Sequence, residues 1–322
     1  MKLAVKITRI FITALIFVSP ITFAGNMGID KISLERECRV DDCHQPVWEL
    51  GAKAFYINVN YGHDPWFTER ALIDTLTGYQ QVPMLLKNYQ WGTAVDAMYH
   101  FTPGKAFDLN IYYWDHTDTG SDILANGGKR TVFQRSKWVT GNLELHQVLP
   151  IADNNAFRVF LSVNYTYLNK QREFFRDIRA LALNNLESIH GESNGGFYGA
   201  GPRWGGHINY NLPSLLATGF SLSAEGAAGV LLGRSRAGII ATTQPILSTG
   251  GVYRNTHQFA VVFEFDTRLA VNYSRATSFG LLGAELGWMA FDYLSAIEDK
   301  ANALSTDVLY QGFFVGLRWQ GG

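Results

Sequence analysis

The sequence is poor in charge and in cysteine, and it has no excess of basic residues. Only 17% of its 322 residues are charged, well below the roughly 25% of a typical soluble domain. Its 2 cysteines are too few for a disulfide-rich scaffold or a four-cysteine zinc site. The formal net charge of −1 indicates no basic surface for nucleic acid. We therefore expect neither a zinc-finger protein nor a nucleic-acid-binding protein.

Long apolar runs are missing beyond the first 24 residues, so no transmembrane helix is expected there. The first 24 residues themselves have the three parts of a signal peptide. Lys2, Lys6 and Arg9 give a positive start, Ile10 to Val18 an apolar centre, and Thr22 to Ala24 small residues for cleavage. A membrane anchor is the alternative, but the apolar part is short for a span. The sequence predicts a cleaved signal peptide over 1–24 and export across the inner membrane.

The rest of the chain alternates apolar with polar or small residues over long segments. In 157–167, for example, Phe157, Leu161 and Tyr165 share one side, and Arg158, Ser162 and Asn164 share the other. The same alternation runs through 89–101 and 257–273. A period of two residues predicts strands, and segments of this length suit tilted strands that cross a bilayer, which take about 9–11 residues each.

Ten such strands can be placed along the chain, and the segments between them alternate between short and long. The strands are predicted at 48–61, 89–101, 107–115, 137–149, 157–168, 196–210, 219–233, 257–273, 279–291 and 308–319. Short turns are expected at 102–106, 150–156, 211–218 and 274–278, and long loops at 62–88, 116–136, 169–195, 234–256 and 292–307. Twelve strands result if 62–88 or 234–256 contains a hairpin.

An even number of strands with alternating short turns and long loops is typical of outer-membrane barrels. The predicted fold is all-β: a closed antiparallel transmembrane β-barrel over 48–322, preceded by a periplasmic segment at 25–47. Both termini would be periplasmic, with the long loops on the cell surface of a Gram-negative bacterium. Outer-membrane lipid and the barrel-insertion machinery are the expected partners.

Aromatic residues near the predicted strand ends are expected to form girdles at the two membrane interfaces. The predicted girdle residues are Trp48, Tyr56, Trp91, Tyr99, Trp138, Tyr165, Trp204, Tyr210, Trp288 and Trp319. The many strand glycines are predicted to make room for large neighbours inside a narrow barrel.

Two stretches resemble one known family. Residues 197–210, which contain Gly201-Pro202-Arg203, and the small-residue strand at 219–233 resemble the Legionella major outer membrane protein family. Cys38 and Cys43 ahead of Trp48 fit the same family. The resemblance implies an abundant, porin-like surface barrel with roles in attachment and in disulfide-linked envelope assembly.

The polar side of the strands would face the lumen. The predicted lumenal acids are Asp96, Glu144, Glu225, Glu264, Asp266 and Glu285, and the predicted bases are Lys53, Arg158, Arg203, Arg268 and Arg318. Such a set could fill a closed barrel with ion pairs, or it could line a pore that selects ions. Ten strands are nearer the eight that leave room only for side chains than the 16–18 of porins, which favours a closed barrel or a narrow, gated path.

Cys38 and Cys43 are separated by four residues and precede the first predicted strand. They could form a disulfide within the chain or one between chains, which would link barrels into oligomers. With His44 they offer three ligands, one fewer than a structural zinc site uses. No metal site and no cofactor are predicted.

Two further functions are alternatives to a structural envelope barrel with porin-like conductance. The long loops could bind host surface molecules, as in an adhesin, and Arg176 to His190 can be written as a short amphipathic helix within one of them. A catalytic site at the rim is the second alternative, and no enzyme activity is predicted. Its candidates are His63, Asp64, Asp115, His116, Asp118, His190 and Asp292, and no Gly-x-Ser-x-Gly or His-Glu-x-x-His motif accompanies them.

Overall fold

The computed structural model describes residues 47–61, 89–102, 104–123, 129–152, 155–177, 188–212, 219–244, 252–299 and 304–321. They form ten strands: β1 (Val47–Tyr61), β2 (Gln90–Thr102), β3 (Lys105–Ile123), β4 (Lys129–Ala152), β5 (Asn155–Asp177), β6 (Ser188–Asn211), β7 (Phe220–Gln244), β8 (Val252–Thr277), β9 (Gly280–Asp299) and β10 (Leu304–Gly321). The predicted signal peptide, most of the predicted periplasmic segment, Cys38, Cys43 and the predicted loop 62–88 lie outside these residues. Within them, no helix is long and apolar enough to cross a membrane.

Each strand pairs antiparallel with the next, and β1 pairs with β10 to close the barrel. Trp48 stands opposite Gly321, so the start of β1 and the end of β10 lie at the same end of the barrel. The β2–β3, β4–β5, β6–β7 and β8–β9 connections lie at that end, which we call the short-turn end. The closed ten-stranded antiparallel barrel predicted from the alternation is confirmed. A twelve-stranded ring is not formed, because β1 pairs directly with β2 and because 234–244 and 252–256 prolong β7 and β8.

Apolar side chains cover the outside of the barrel in a continuous belt. Leu161 is 61% exposed and Leu317 is 68% exposed, while their neighbours along each strand point inward. Large exposed apolar surfaces are rare on soluble monomers. In a bilayer this belt contacts lipid, and strand closure satisfies the backbone hydrogen bonds that lipid cannot.

Several strands are much longer than predicted at the end opposite the short turns. The predicted loops 116–136, 169–195, 234–256 and 292–307 are largely strand, and only 124–128, 178–187, 245–251 and 300–303 lie between the described strands there. Arg176 and His190 belong to strands, so the predicted helix is wrong at both ends, and its centre lies outside the described residues. Beyond the belt both sheet faces meet water or polar groups, so the apolar alternation that marks a strand fades.

Large aromatic residues fill the middle of the barrel. Trp138 stacks on Tyr310 with ring centroids 4.7 Å apart and an interplanar angle of 15°, and its Nε1 donates a hydrogen bond to the Tyr293 hydroxyl at 3.1 Å. Phe55, Tyr112 and Phe291 pack around the same indole. We call the set Phe55, Tyr112, Trp114, Trp138, Phe291, Tyr293 and Tyr310 the aromatic layer; each member is almost completely buried.

The placement of Trp138 in a membrane girdle is therefore wrong. The residues on either side of it, Lys137 and Val139, point outward from β4, so the Trp138 side chain points inward. Proximity to a predicted strand end suggested a girdle position, although the alternation already placed the indole inside. Trp48, Tyr56, Trp91, Tyr165, Trp204 and Tyr210 are exposed, as a girdle requires.

Glycine makes room for the aromatic layer at one point on β2. A Cβ on Gly92 would lie 2.0 Å from the Phe55 ring, and this ring is held by Tyr112 and Trp138. Gly205 accommodates the Phe160 ring in the same way, with 2.4 Å between an added Cβ and the ring. A narrow barrel thus gains interior volume by omitting a side chain opposite a large one.

We expect Gly92→Ala to destabilise the barrel by about 1–3 kcal/mol, the usual cost of overpacking a well-packed core. The added methyl must displace Phe55, whose neighbours leave it little space. The measurement is urea unfolding of the detergent-refolded protein, followed by tryptophan fluorescence.

Gly141→Ala is the matched control, because the nearest atom to a Cβ there is 3.7 Å away. Equal stability of the two variants would contradict the packing argument.

The charged lumen as candidate functional site

Arg203 is the centre of a buried ion-pair network between the aromatic layer and the short-turn end. Its guanidinium donates to Glu144 at 2.6 Å from Nη1 and to Asp266 at 2.8 Å from Nε. Its Nη2 lies 2.7 Å from Asp266 and 3.6 Å from Glu225. The Arg203 side chain is fully buried, and Arg is suited to this place since its planar donors can serve several carboxylates at once.

Three further pairings extend the network around the lumen. Lys53 Nζ lies 3.4 Å from Asp96 and 3.3 Å from Glu285. Arg268 contacts Glu225 and also donates to the Tyr112 hydroxyl at 2.7 Å, which links the charges to the aromatic layer.

Glu49 forms further ion pairs near the short-turn end. Its carboxylate lies 2.9 Å from His100 Nε2 and 3.6 Å from Arg318. Asn164 on β5 similarly donates to Glu264. Most charges that the bilayer would otherwise penalise are thus placed inside, where partners and hydrogen bonds stabilise them.

A small cavity of about 50 Å³ remains among these side chains. Asp96, Asp108, His146, Arg158 and Glu285 are among the residues that line it. This volume suffices for a few water molecules bridging polar groups. It is far smaller than a solute channel, so the described strands enclose a filled lumen at this level.

The eleven charged residues predicted for the lumen all lie inside the barrel. Lys53, Asp96, Glu144, Arg158, Glu225, Arg268, Glu285 and Arg318 line the cavity, while Arg203, Glu264 and Asp266 are packed against them. The structure brings together residues from nine different strands inside the barrel, which no sequence spacing could show.

Two lumenal carboxylates were missed. Glu49 alternates with the outward Trp48 and Leu50, and Asp108 alternates with the outward Phe107 and Leu109. The parity that would have placed them inside was therefore present in the sequence. With them the described charge layer has eight acids (Glu49, Asp96, Asp108, Glu144, Glu225, Glu264, Asp266 and Glu285) against the five bases already named, an excess of three carboxyl groups. The buried Lys170 and Arg172 lie outside this layer, further from the short-turn end than the pair Trp138–Leu168.

Asp115, His116 and His190, among the catalytic candidates that the structure describes, have separate surroundings. Asp115 and His116 are neighbours on β3 and point to opposite faces. Asp115 pairs with Arg135 on the outer face at 2.7 Å, while His116 lies 3.9 Å from Asp118 inside. His190 contacts the Phe175 ring, and His63 and Asp64 lie outside the described residues.

Three titratable groups beyond the apolar belt have pKa values shifted from their ordinary ones. The hydrogen bond from Arg135 lowers the pKa of Asp115, and burial lowers the pKa of His116. Asp292 lies four residues beyond Trp288 on β9, and burial together with the charge of Asp307 raises its pKa to about 6. These shifts have separate local causes, and they do not mark a shared acid–base site.

Comparison with known proteins identifies the family. Residues 41–321 match the family described as Legionella pneumophila major outer membrane protein precursor. The chain belongs to this family. The resemblance of 197–210 and 219–233 is thereby confirmed, and the barrel is an outer-membrane protein. A search of curated proteins finds no match.

Solved structures similar to this member of the major outer membrane protein family are outer-membrane barrels. The Escherichia coli outer membrane protease OmpT is 10% identical, with 85% of this chain and 96% of that chain covered and a TM-score of 0.45. The translocator domain of Neisseria meningitidis NalP is 10% identical (87% and 90% covered, TM-score 0.34). The Pseudomonas putida toluene transporter TodX is 10% identical (86% and 89% covered, TM-score 0.28).

Arg203→Gln is expected to destabilise the barrel by about 3–5 kcal/mol, because Glu144 and Asp266 would lose the cation that compensates them in a buried site. The measurement is the urea midpoint of the refolded protein. Arg135→Gln is the matched control: it removes the exposed pair with Asp115, and exposed pairs contribute little. A similar midpoint for both variants would refute the central role of Arg203.

Asp292→Asn is expected to make the barrel more stable than the unchanged protein at pH 8. The raised pKa means that ionising Asp292 costs more in the folded than in the unfolded chain, and the amide removes that cost. The difference should shrink as the pH falls through 6 and vanish below about 4, where the carboxyl is protonated in both states.

Thermal unfolding at pH 8 and pH 4 measures this difference. Asp115→Asn serves as the control of opposite sign, because its lowered pKa reflects a stabilising pairing with Arg135 that is present at pH 8. A loss of stability in Asp292→Asn at pH 8 would contradict the assignment.

Proposed function

We propose that this outer-membrane barrel is a structural envelope protein with a constricted lumen and at most a small conductance that prefers cations. The proposal rests on two successive layers of side chains that fill the lumen. The aromatic layer occupies the middle of the barrel, and the charge layer, centred on Arg203, lies between it and the short-turn end.

The aromatic layer supports a narrow path. Trp138, Tyr293 and Tyr310 are tied together by one hydrogen bond and two ring contacts, and all three are buried. Any ion crossing the barrel must pass these rings. Ten strands also enclose less space than the 16–18 of water-filled porins.

The charge layer supports the preference for cations. It contains eight carboxyl groups against five permanent cations, and fixed charges along a path favour counter-ions of the opposite sign. The preference is expected to weaken at high salt, where screening shortens the range of the field.

The orientation belongs to the same proposal. The short-turn end holds both the first and the last strand ends, and it is assigned to the periplasm. The extended strand ends then face the cell exterior, as in other outer-membrane barrels.

Adhesion to host molecules is the second candidate function. The strands continue beyond the apolar belt. In this extended part, Phe175 on β5 is 52% exposed and contacts His190 on β6. An exposed aromatic on a rigid rim can bind a sugar or a protein. Binding of the refolded protein to host cells, compared with Phe175→Ala, tests this alternative.

Conductance in planar bilayers tests the main proposal. The unchanged protein is expected to give silence or small steps, and Trp138→Ala/Tyr310→Ala is expected to give steps several times larger with potassium favoured over chloride. The double variant removes two stacked rings from the path. Trp91→Ala is the control, since its indole is 63% exposed on the outer face.

Large porin-like steps from the unchanged protein would overturn the constriction, and chloride preference would overturn the role of the carboxyl groups. Refolding of each variant is checked beforehand by its altered mobility in unheated gels.

A further inference from the structure

We propose that Asp108, Glu144 and His146 form a binding site for one divalent transition-metal ion, of the zinc type, inside the barrel. The proposal goes beyond the envelope function, and it does not depend on whether the lumen conducts.

The strand ladder brings the three side chains together. Asp108 on β3 stands directly opposite Glu144 on β4, and His146 follows two residues later on the same inward face. One potential ligand atom from each residue can be chosen so that all three lie within 4.8 Å of one another. Ligands at about 2.0–2.2 Å from one tetrahedral zinc ion lie roughly 3.4 Å from one another, so modest side-chain movements would bring the three ligand atoms to that spacing.

The imidazole of His146 has no hydrogen-bond partner among the described residues. Neither Nδ1 nor Nε2 makes a hydrogen bond, although only 8% of the side chain is exposed. Nε2 lies 3.0 Å from Glu144 Oε2 and 3.8 Å from Asp108 Oδ2, within ion-pair distance of both. A buried polar group of this kind calls for a missing partner, and a metal ion between imidazole and carboxylates supplies one.

Asp108 also has an unused oxygen. Its Oδ1 is buried without a hydrogen bond, while its Oδ2 accepts one from Asn110 at 3.0 Å. Arg203 holds Glu144 by the other oxygen, Oε1, at 2.6 Å. Outer contacts that orient a ligating carboxylate are a regular feature of metal sites. The Glu144 oxygen that Arg203 leaves unused, Oε2, faces His146, and the Asp108 oxygen nearest His146 is Oδ2, which Asn110 holds in place.

The surrounding charge favours a cation. The layer has three more carboxyl groups than permanent cations, and a divalent ion offsets most of this excess. The three residues also line the cavity of about 50 Å³, which has room for water as a further ligand. His146 pairs with Ala106, two residues from the turn at Gly104, so the route to the site is short from the short-turn end.

The ligand set selects the class of metal. One imidazole with two carboxylates suits zinc and its first-row neighbours, whereas calcium and magnesium prefer oxygen ligands alone and copper(I) prefers sulfur. Zinc is the probe for affinity, and cobalt(II) reports the coordination through its visible absorption.

The experiment uses the detergent-refolded chain without a histidine tag, stripped with EDTA and titrated with zinc by calorimetry. Cys38→Ser/Cys43→Ser is the background, because these thiols and His44 could bind zinc themselves. We expect one zinc ion per barrel. His146→Asn and Asp108→Asn should each weaken binding at least about 100-fold, since removing a direct ligand exceeds the 10–100-fold loss typical of outer-shell changes.

His207→Asn is the matched control. His207 is another lumenal histidine, 3.5 Å from Glu225, and its replacement leaves the three proposed ligands in place. Zinc affinity and the cobalt spectrum should stay unchanged in this variant.

Absence of zinc binding at one ion per barrel would overturn the proposal, as would equal effects of His146→Asn and His207→Asn. In that case the imidazole of His146 pairs with Glu144 or is solvated by cavity water. If His146→Asn does not refold, the isosteric Asp108→Asn decides: its zinc affinity should fall, and its cobalt(II) spectrum should differ from that of the unchanged protein. Conductance is measured separately, so failure of the metal site leaves the envelope proposal standing.

Discussion

Everything in this structure depends on the pairing of β1 with β10. Lipid cannot hydrogen-bond to a strand edge, so a sheet that crosses the membrane must close on itself. Trp48 to Tyr61 pair with Val308 to Gly321 along nearly the whole of β1, and no edge remains among the described strands. Once the ring is closed, the two faces of every strand become a lipid face and a lumenal face. The arrangement of all other side chains follows from that division.

Closure at ten strands also determines how the lumen is filled. The ring is too narrow for a wide aqueous channel, and an empty one would forfeit the contacts that stabilise a packed interior. Large aromatic rings therefore meet inside the barrel, and glycines on neighbouring strands leave room for them, as Gly92 does for Phe55. The same limit forces the charged groups into contact, so that one guanidinium, that of Arg203, serves carboxylates from β4, β7 and β8.

The alternation in the sequence was sufficient to predict the class of fold, the number of strands and the inward side of eleven charged residues. It failed where the lipid that creates the alternation ends. The far ends of β3 to β9 mix polar and apolar residues on both faces, as where Phe174 and Phe175 stand between Arg172 and Arg176, so the sequence pattern there predicts loops. Trp138 was misplaced because position along a strand was given more weight than parity. Glu49 and Asp108 were missed although parity placed them inside.

Sequence could not show which lumenal groups meet, because the contacts join strands that are far apart in the chain. Arg203 and Glu144 are separated by 59 residues and Arg203 and Asp266 by 63, and their meeting depends on the stagger of a closed ring. That stagger also decides where charge remains uncompensated. Counted from the predicted set, six acids and five bases nearly balance, which suggests a lumen that is only structural. Glu49 and Asp108 turn this balance into an acidic excess in a place with little water. A buried excess of one sign must be offset by protons, by ions or by a bound metal, so a lumen filled for stability becomes, through two further carboxylates, a place where cations are favoured.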